Sequence, residues 1–77
     1  SVLAYPNPSQ GKFDIYMPSK LKTVSLQVFN LYGQLISNRI YTITADKLEV
    51  DISDKPSGVY FIKLGKENSS LIKIIKQ

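Results

Sequence analysis

Cysteine, histidine and tryptophan are all missing from this 77-residue chain, and each absence removes a class of chemistry. Without cysteine no disulfide can staple the fold, as many small exported domains require, although that leaves the compartment open. Without histidine the chain lacks the commonest general base near neutral pH and the commonest transition-metal ligand. Its serines therefore have no imidazole to take up a proton, no lysine stands at a recognised spacing to replace it, and enzymatic activity is not expected. Without tryptophan there is none of the platform residue that carbohydrate-binding sandwiches often present. Long apolar runs are missing too: nothing approaches the roughly 20 residues of a membrane-spanning helix, so direct membrane insertion is not expected. No basic segment followed by an apolar stretch precedes Pro6, so any export signal would lie outside this chain.

What remains is ordinary for a folded domain, with 43% hydrophobic residues. A single domain of this length buries only about 60% of the surface its unfolded chain exposes, which predicts modest stability. The net charge of +4 comes from ten basic residues spread between Lys12 and Lys76 with carboxylates among them. That spread reads as a solvated surface. Nucleic-acid binding would need a basic face interleaved with exposed aromatics, whereas Phe13, Phe29, Phe61 and Tyr60 lie in apolar segments where the core is expected to claim most of them.

Apolar residues alternate with polar ones along most of the chain. "KFDIYM" places Phe13, Ile15 and Met17 on one side, "TVSLQVF" does so with Val24, Leu26 and Val28, and "KLEVDI" with Leu48, Val50 and Ile52. Period two predicts strands with one buried face. "GVYFIKL" and "SLIKIIK" are denser in apolar residues, as strands nearer the middle of a sheet tend to be. In "QLISNRIYTI" the alternation breaks around Ser37 to Arg39, which predicts a bulge or a change of sheet. Turn-forming clusters separate these runs: "NPSQG", "MPSK", "NLYGQ", "TADK", "DKPSG" and "GKENSS". Counting "VLAY", about seven short antiparallel strands are expected in a small immunoglobulin-like β-sandwich. A five-strand OB-type barrel would leave strands unassigned.

Two prolines flank Asn7 in "YPNPSQG", each holding φ at about −65° and pushing Tyr5 or Asn7 toward extended geometry. Asn7 is expected to accept a hydrogen bond from a backbone N–H two residues on, and Gly11 to take a positive φ where the next strand begins. Gly33 suits the left-handed position of a hairpin loop. Gly58 precedes Tyr60, whose ring can pack inward while its hydroxyl reaches the rim. The carboxylates Asp46, Glu49, Asp51 and Asp54 cluster in sequence, but Glu49 and Asp51 fall on the outer side of a strand, where solubility explains them and calcium does not. No metal or cofactor is expected. Tyr16, Tyr32 and Tyr41 are candidates for a small aromatic patch, which would suit an accessory module binding glycan or protein for an attached enzyme. Asn68 formally matches a glycosylation acceptor, a pattern too short to carry a prediction. In the terminal "LIKIIKQ", Ile72 and Ile74 share one side; the strand either offers its exposed backbone to another edge, with Lys73 and Lys76 steering toward an acidic surface, or is a paired terminal strand whose lysines guard against aggregation.

Taken together, "YPNPSQGKFDI", "VFNLYGQLI", "PSGVYFIKL" and "LIKIIK" resemble the type A C-terminal sorting domain of the type IX (Por) secretion system, over nearly the whole chain from Ala4 to Lys76. The resemblance implies that residues 1–77 form one non-enzymatic secretion signal at the end of a larger cargo protein. Cargo of such a family reaches the periplasm by a separate leader, passes the outer-membrane translocon and remains at the cell surface or is released. A sortase-like surface peptidase commonly removes the domain and joins the cargo to an anionic lipopolysaccharide. The PNP-x-x-G element corresponds to Pro6, Asn7, Pro8 and Gly11, the hairpin element to Asn30 and Gly33, the G-x-Y element to Gly58 and Tyr60, and the terminal basic position to Lys76. With Lys73, these are the expected recognition or structural determinants. Ser1 to Tyr5 leaves little of the region ahead of PNP where family members are processed.

Overall fold

The computed structural model describes residues 2–65 and 71–77. Seven strands follow one another: β1 (Leu3–Tyr5), β2 (Lys12–Tyr16), β3 (Thr23–Asn30), β4 (Leu35–Thr42), β5 (Lys47–Asp51), β6 (Gly58–Leu64) and β7 (Ile72–Lys76). They form a three-stranded sheet ordered β1-β2-β5 and a four-stranded sheet ordered β4-β3-β6-β7. Every strand pair is antiparallel. Two facing sheets exclude a closed barrel, and the order matches an immunoglobulin-like sandwich in which the fourth strand joins the sheet of the third.

The alternating residues meet between the sheets. Ile15, Leu26, Val28, Leu48, Ile62 and Ile74 are completely or almost completely shielded from solvent, and Phe13, Val50, Ile52 and Tyr60 belong to the same cluster. Met17 packs at its margin. Cross-strand pairs such as Phe13 opposite Val50 and Tyr60 opposite Ile74 fix the register, because a one-residue slip would turn each buried set toward water.

Three expectations need correction. Phe29 and Phe61 are not core residues: they face each other across β3 and β6 on the outside of the four-stranded sheet, alternating with buried Val28 and Ile62. β7 is not in the middle of its sheet but at its edge. The break in β4 is a register shift opposite Val28 and Phe29, which pair with Ser37 and Leu35 and leave Ile36 as the additional residue. That places the bulge one residue earlier than the pattern predicts, because Ile36 turns inward and packs against the core. The "GKENSS" turn and Asn68 lie outside the described residues apart from Gly65.

Candidate recognition site

Asn30 ends β3 and organises the hairpin that follows. Its carbonyl accepts from the Gly33 N–H at 3.0 Å, and its Oδ1 accepts from the N–H groups of Tyr32 (2.9 Å) and Gln34 (3.0 Å). Its Nδ2 donates to Gln34 Oε1 at 2.7 Å. Gly33 follows with φ of 80°, completing a three-residue loop of the type I turn plus glycine bulge kind. The hairpin raises Leu31 and Tyr32 into solvent, Tyr32 being 85% exposed.

Across the same end of the sandwich, Tyr60 is buried near the start of β6 and its hydroxyl donates to the Pro56 carbonyl. A buried phenol bonded to backbone four residues upstream pins the β5–β6 connection, as the corner tyrosine of immunoglobulin-like sandwiches does. Asn30, Tyr32, Pro56, Gly58 and Tyr60 line a groove of about 520 Å³ between the two loops.

The proline corner lies against the last strand. The Tyr5–Pro6 and Asn7–Pro8 peptide bonds are both cis. Asn7 Nδ2 donates to the Lys73 carbonyl at 2.7 Å, and its Oδ1 accepts from the Ile75 N–H at 2.9 Å. The Ser9 N–H donates to the Ile75 carbonyl at 3.0 Å, and the Ser9 carbonyl accepts from the Gln77 N–H at 2.7 Å. Ser9 thus forms a parallel bridge with Lys76, while the Asn7 amide supplies one donor and one acceptor as a backbone peptide group would. These contacts correct one expectation and decide between two others. Asn7 does not close a local turn; Ser9 does, its Oγ accepting from the Gly11 N–H at 3.0 Å. Of the two readings of β7, the paired terminal strand is the one found, because the corner occupies its backbone edge.

Gly11 is the hinge of this arrangement. Its φ is 117°, and a Cβ there would lie 2.7 Å from Ser53 Cα and 2.9 Å from Lys76 Cε. Only a glycine lets the corner approach both the β5–β6 connection and β7. The Gly11 carbonyl accepts from the Ile52 N–H at 2.7 Å, closing the joint. Asp51 Oδ1 accepts from the Ser53 N–H at 2.8 Å. Hydrogen bonds from the Ser53 hydroxyl and N–H, helped by Lys12, hold the Asp51 carboxyl below its ordinary pKa.

The residues singled out in the sequence therefore converge on one end of the sandwich. Gly58 pairs with Lys76, Asn30 with Tyr60, and the corner with Lys73 to Gln77. Lys73 is exposed, whereas Lys76 is half-buried beside Gly11. The three tyrosines do not converge. Tyr16 points outward from the three-stranded sheet and Tyr41 toward the inter-sheet space, stacked under Arg39 at 5.2 Å. Tyr32 lies at the other end of β3, about 20 Å away along the strand. Among the described residues no group of three or more acidic side chains is placed to hold a metal ion. The roles of Ser9 and Ser53 are not legible in the sequence: a serine two residues ahead of a glycine, as Ser9 is, signals a turn, but its tertiary partners lie far along the chain.

A family model described as the secretion system C-terminal sorting domain matches residues 3–77. The chain belongs to this family. No curated protein matches the sequence. The sorting domain is thus a signal for type IX secretion, which implies interaction with that machinery and export toward the cell surface or the extracellular space. Sorting domains of this family are signals and not enzymes. The segments that carry the resemblance, separate in sequence, meet at one end of the fold.

Proposed function

We propose that this domain is the C-terminal portion of a larger cargo protein and directs that cargo through the outer-membrane translocon. A sortase-like surface peptidase then removes the domain, leaving the cargo on the surface or free in the medium. The recognition element is a composite: Pro6, Asn7, Pro8 and Gly11 fastened to β7, with Asn30, Gly33, Gly58, Tyr60, Lys73 and Lys76 completing that end. The observation supporting this reading is the pair of hydrogen bonds from the Asn7 side chain to the Lys73 carbonyl and Ile75 N–H. They hold the first and last signature elements in a fixed relation, so a machine serving many cargos can read a rigid contour that the shared domain carries with it.

The test fuses residues 1–77 behind a periplasmically exported reporter in a host with a type IX system. Deleting β7 is a poor probe because Ile74 is fully buried in the core. Asn7→Ala is better, since Asn7 is exposed and its loss frees the corner without opening the core. The unaltered fusion should reach the surface and the Asn7→Ala fusion should accumulate in the periplasm with its melting temperature little changed. Retention of the unaltered fusion inside the cell would refute the sorting role of these residues; equal display of both would refute the composite corner as the feature read.

A further inference from the structure

Each sheet edge carries a device against backbone pairing. β1 is three residues long, and β5 alternates Lys47, Glu49 and Asp51 outward. β4 has its bulge and places Arg39 on the core-facing side opposite Leu26. β7 is covered by the corner. Short strands, edge charges, bulges and inward-pointing charge are the recognised protections of sheet edges. Strand addition is therefore a poor way for this domain to engage a partner.

The outer face of the four-stranded sheet has no such protection. Leu35, Phe29, Phe61 and Lys73 are successive cross-strand neighbours and form one row across it. Val59 pairs with Ile75 beside that row. Phe29, Leu31, Phe61 and Leu71 line a groove of about 320 Å³ bordered by Lys63. Leu31, Leu35 and Leu71 are 61%, 50% and 59% exposed. A solvent-facing antiparallel sheet normally alternates to polar residues; β2 and β5 do so here with Lys12, Asp14, Lys47, Glu49 and Asp51, while Leu3, Tyr5 and Tyr16 are exposed at the β1 margin of that sheet. An apolar face of this kind marks an interaction surface.

Charge selects the occupant. Of the six carboxylates, Asp14, Asp46, Glu49, Asp51 and Asp54 all lie on the three-stranded sheet or on the loops flanking β5, and Glu67 is outside the described residues. Among the described residues, the outer face of the four-stranded sheet carries Lys63 and Lys73 and no carboxylate. Two copies meeting through this face would set lysines against lysines, so a symmetric dimer is disfavoured.

We propose that this face docks onto a protein of the secretion machinery whose own surface has an apolar centre rimmed by Asp and Glu. The proposal rests on the sorting reading and adds a second contact surface to the corner. The test uses the same reporter fusion with Lys63→Glu, a residue outside the corner element, against Lys20→Glu as an equal charge change on an exposed loop. A photoreactive residue at position 71 is compared with one at position 3 on the opposite sheet. The face variant should lose surface display by about tenfold or more with an unchanged melting temperature, while the loop variant is displayed normally. Position 71, and not position 3, should cross-link to an acidic surface of a secretion-machinery protein. Equal behaviour of the two charge variants would overturn the proposal, as would a cross-link from position 71 to another copy of the domain, to lipopolysaccharide or to a basic surface. If the face variant is displayed while Asn7→Ala is not, the corner stands and this face falls; if the unaltered fusion stays inside, both fall together.

Discussion

Gly11 shows how one residue type can be dictated by contacts far away in sequence. Alanine there would combine a strained positive φ with overlap against the Ser53 backbone at 2.7 Å. Strain of that kind and overpacking each cost about 1–3 kcal/mol, so Gly11→Ala should destabilise the domain by about 2–6 kcal/mol in urea titrations. A loss below 0.5 kcal/mol would mean that the corner simply shifts aside. Asp51 gives a pH signature. Its pKa is lowered on folding, so its contribution is present above the ordinary carboxylate range and disappears as pH falls through the folded value. Melting temperatures measured from neutral to strongly acidic pH should therefore fall less steeply for Asp51→Asn than for the unaltered domain. Parallel curves would show that Ser53 does not stabilise the ionised form.

The β4–β5 connection illustrates the element scale. Thr44 and Lys47 exchange backbone hydrogen bonds at 2.9 and 3.1 Å around Ala45 and Asp46, whose φ values of 53° and 60° are both left-handed. A two-residue loop with two positive φ values favours Asn-Gly. Replacing Ala45 by Asn together with Asp46 by Gly should stabilise the domain by about 1 kcal/mol and raise its melting temperature by roughly 4–8 °C. An unchanged or lower melting temperature in calorimetry would show that the present turn is not strained. In the other hairpin, "NLYGQ" made the loop legible, because the left-handed glycine and the Asn side chain act within a few residues. The β4 bulge was only approximately legible: period two reveals that a strand is interrupted, but the inward packing of Ile36 fixes where.

At the scale of the whole molecule, the corner and the last strand form one unit although Asn7 and Ile75 stand at opposite ends of the chain. Asn7→Ala should speed hydrogen exchange at the Ile75 amide, which bonds to the Asn7 side chain. The Ile62 amide in the core strand β6 should be unaffected. Equal acceleration at both amides would indicate global destabilisation and not release of the edge. The exposed phenylalanines belong to this scale too. Phe29 and Phe61 sit in strands as apolar as the core, and alternation shows that they share a face without showing whether that face is covered. The tyrosines divide for the same reason, since sheet membership and loop position, not sequence spacing, decide whether Tyr16, Tyr32 and Tyr41 meet.

Local stereochemistry and period-two burial suffice to determine the strands, their buried sides and most turns, because these depend on neighbours within a few residues. The signature segments also identify the family, being carried by residue type and order. Tertiary structure decided that the corner closes the edge of β7, that the end of the sandwich gathers the signature residues, and that an apolar sheet face stays open beside two lysines. Those outcomes depend on which distant backbone groups find each other and which surfaces are left without a partner, and no local pattern encodes either.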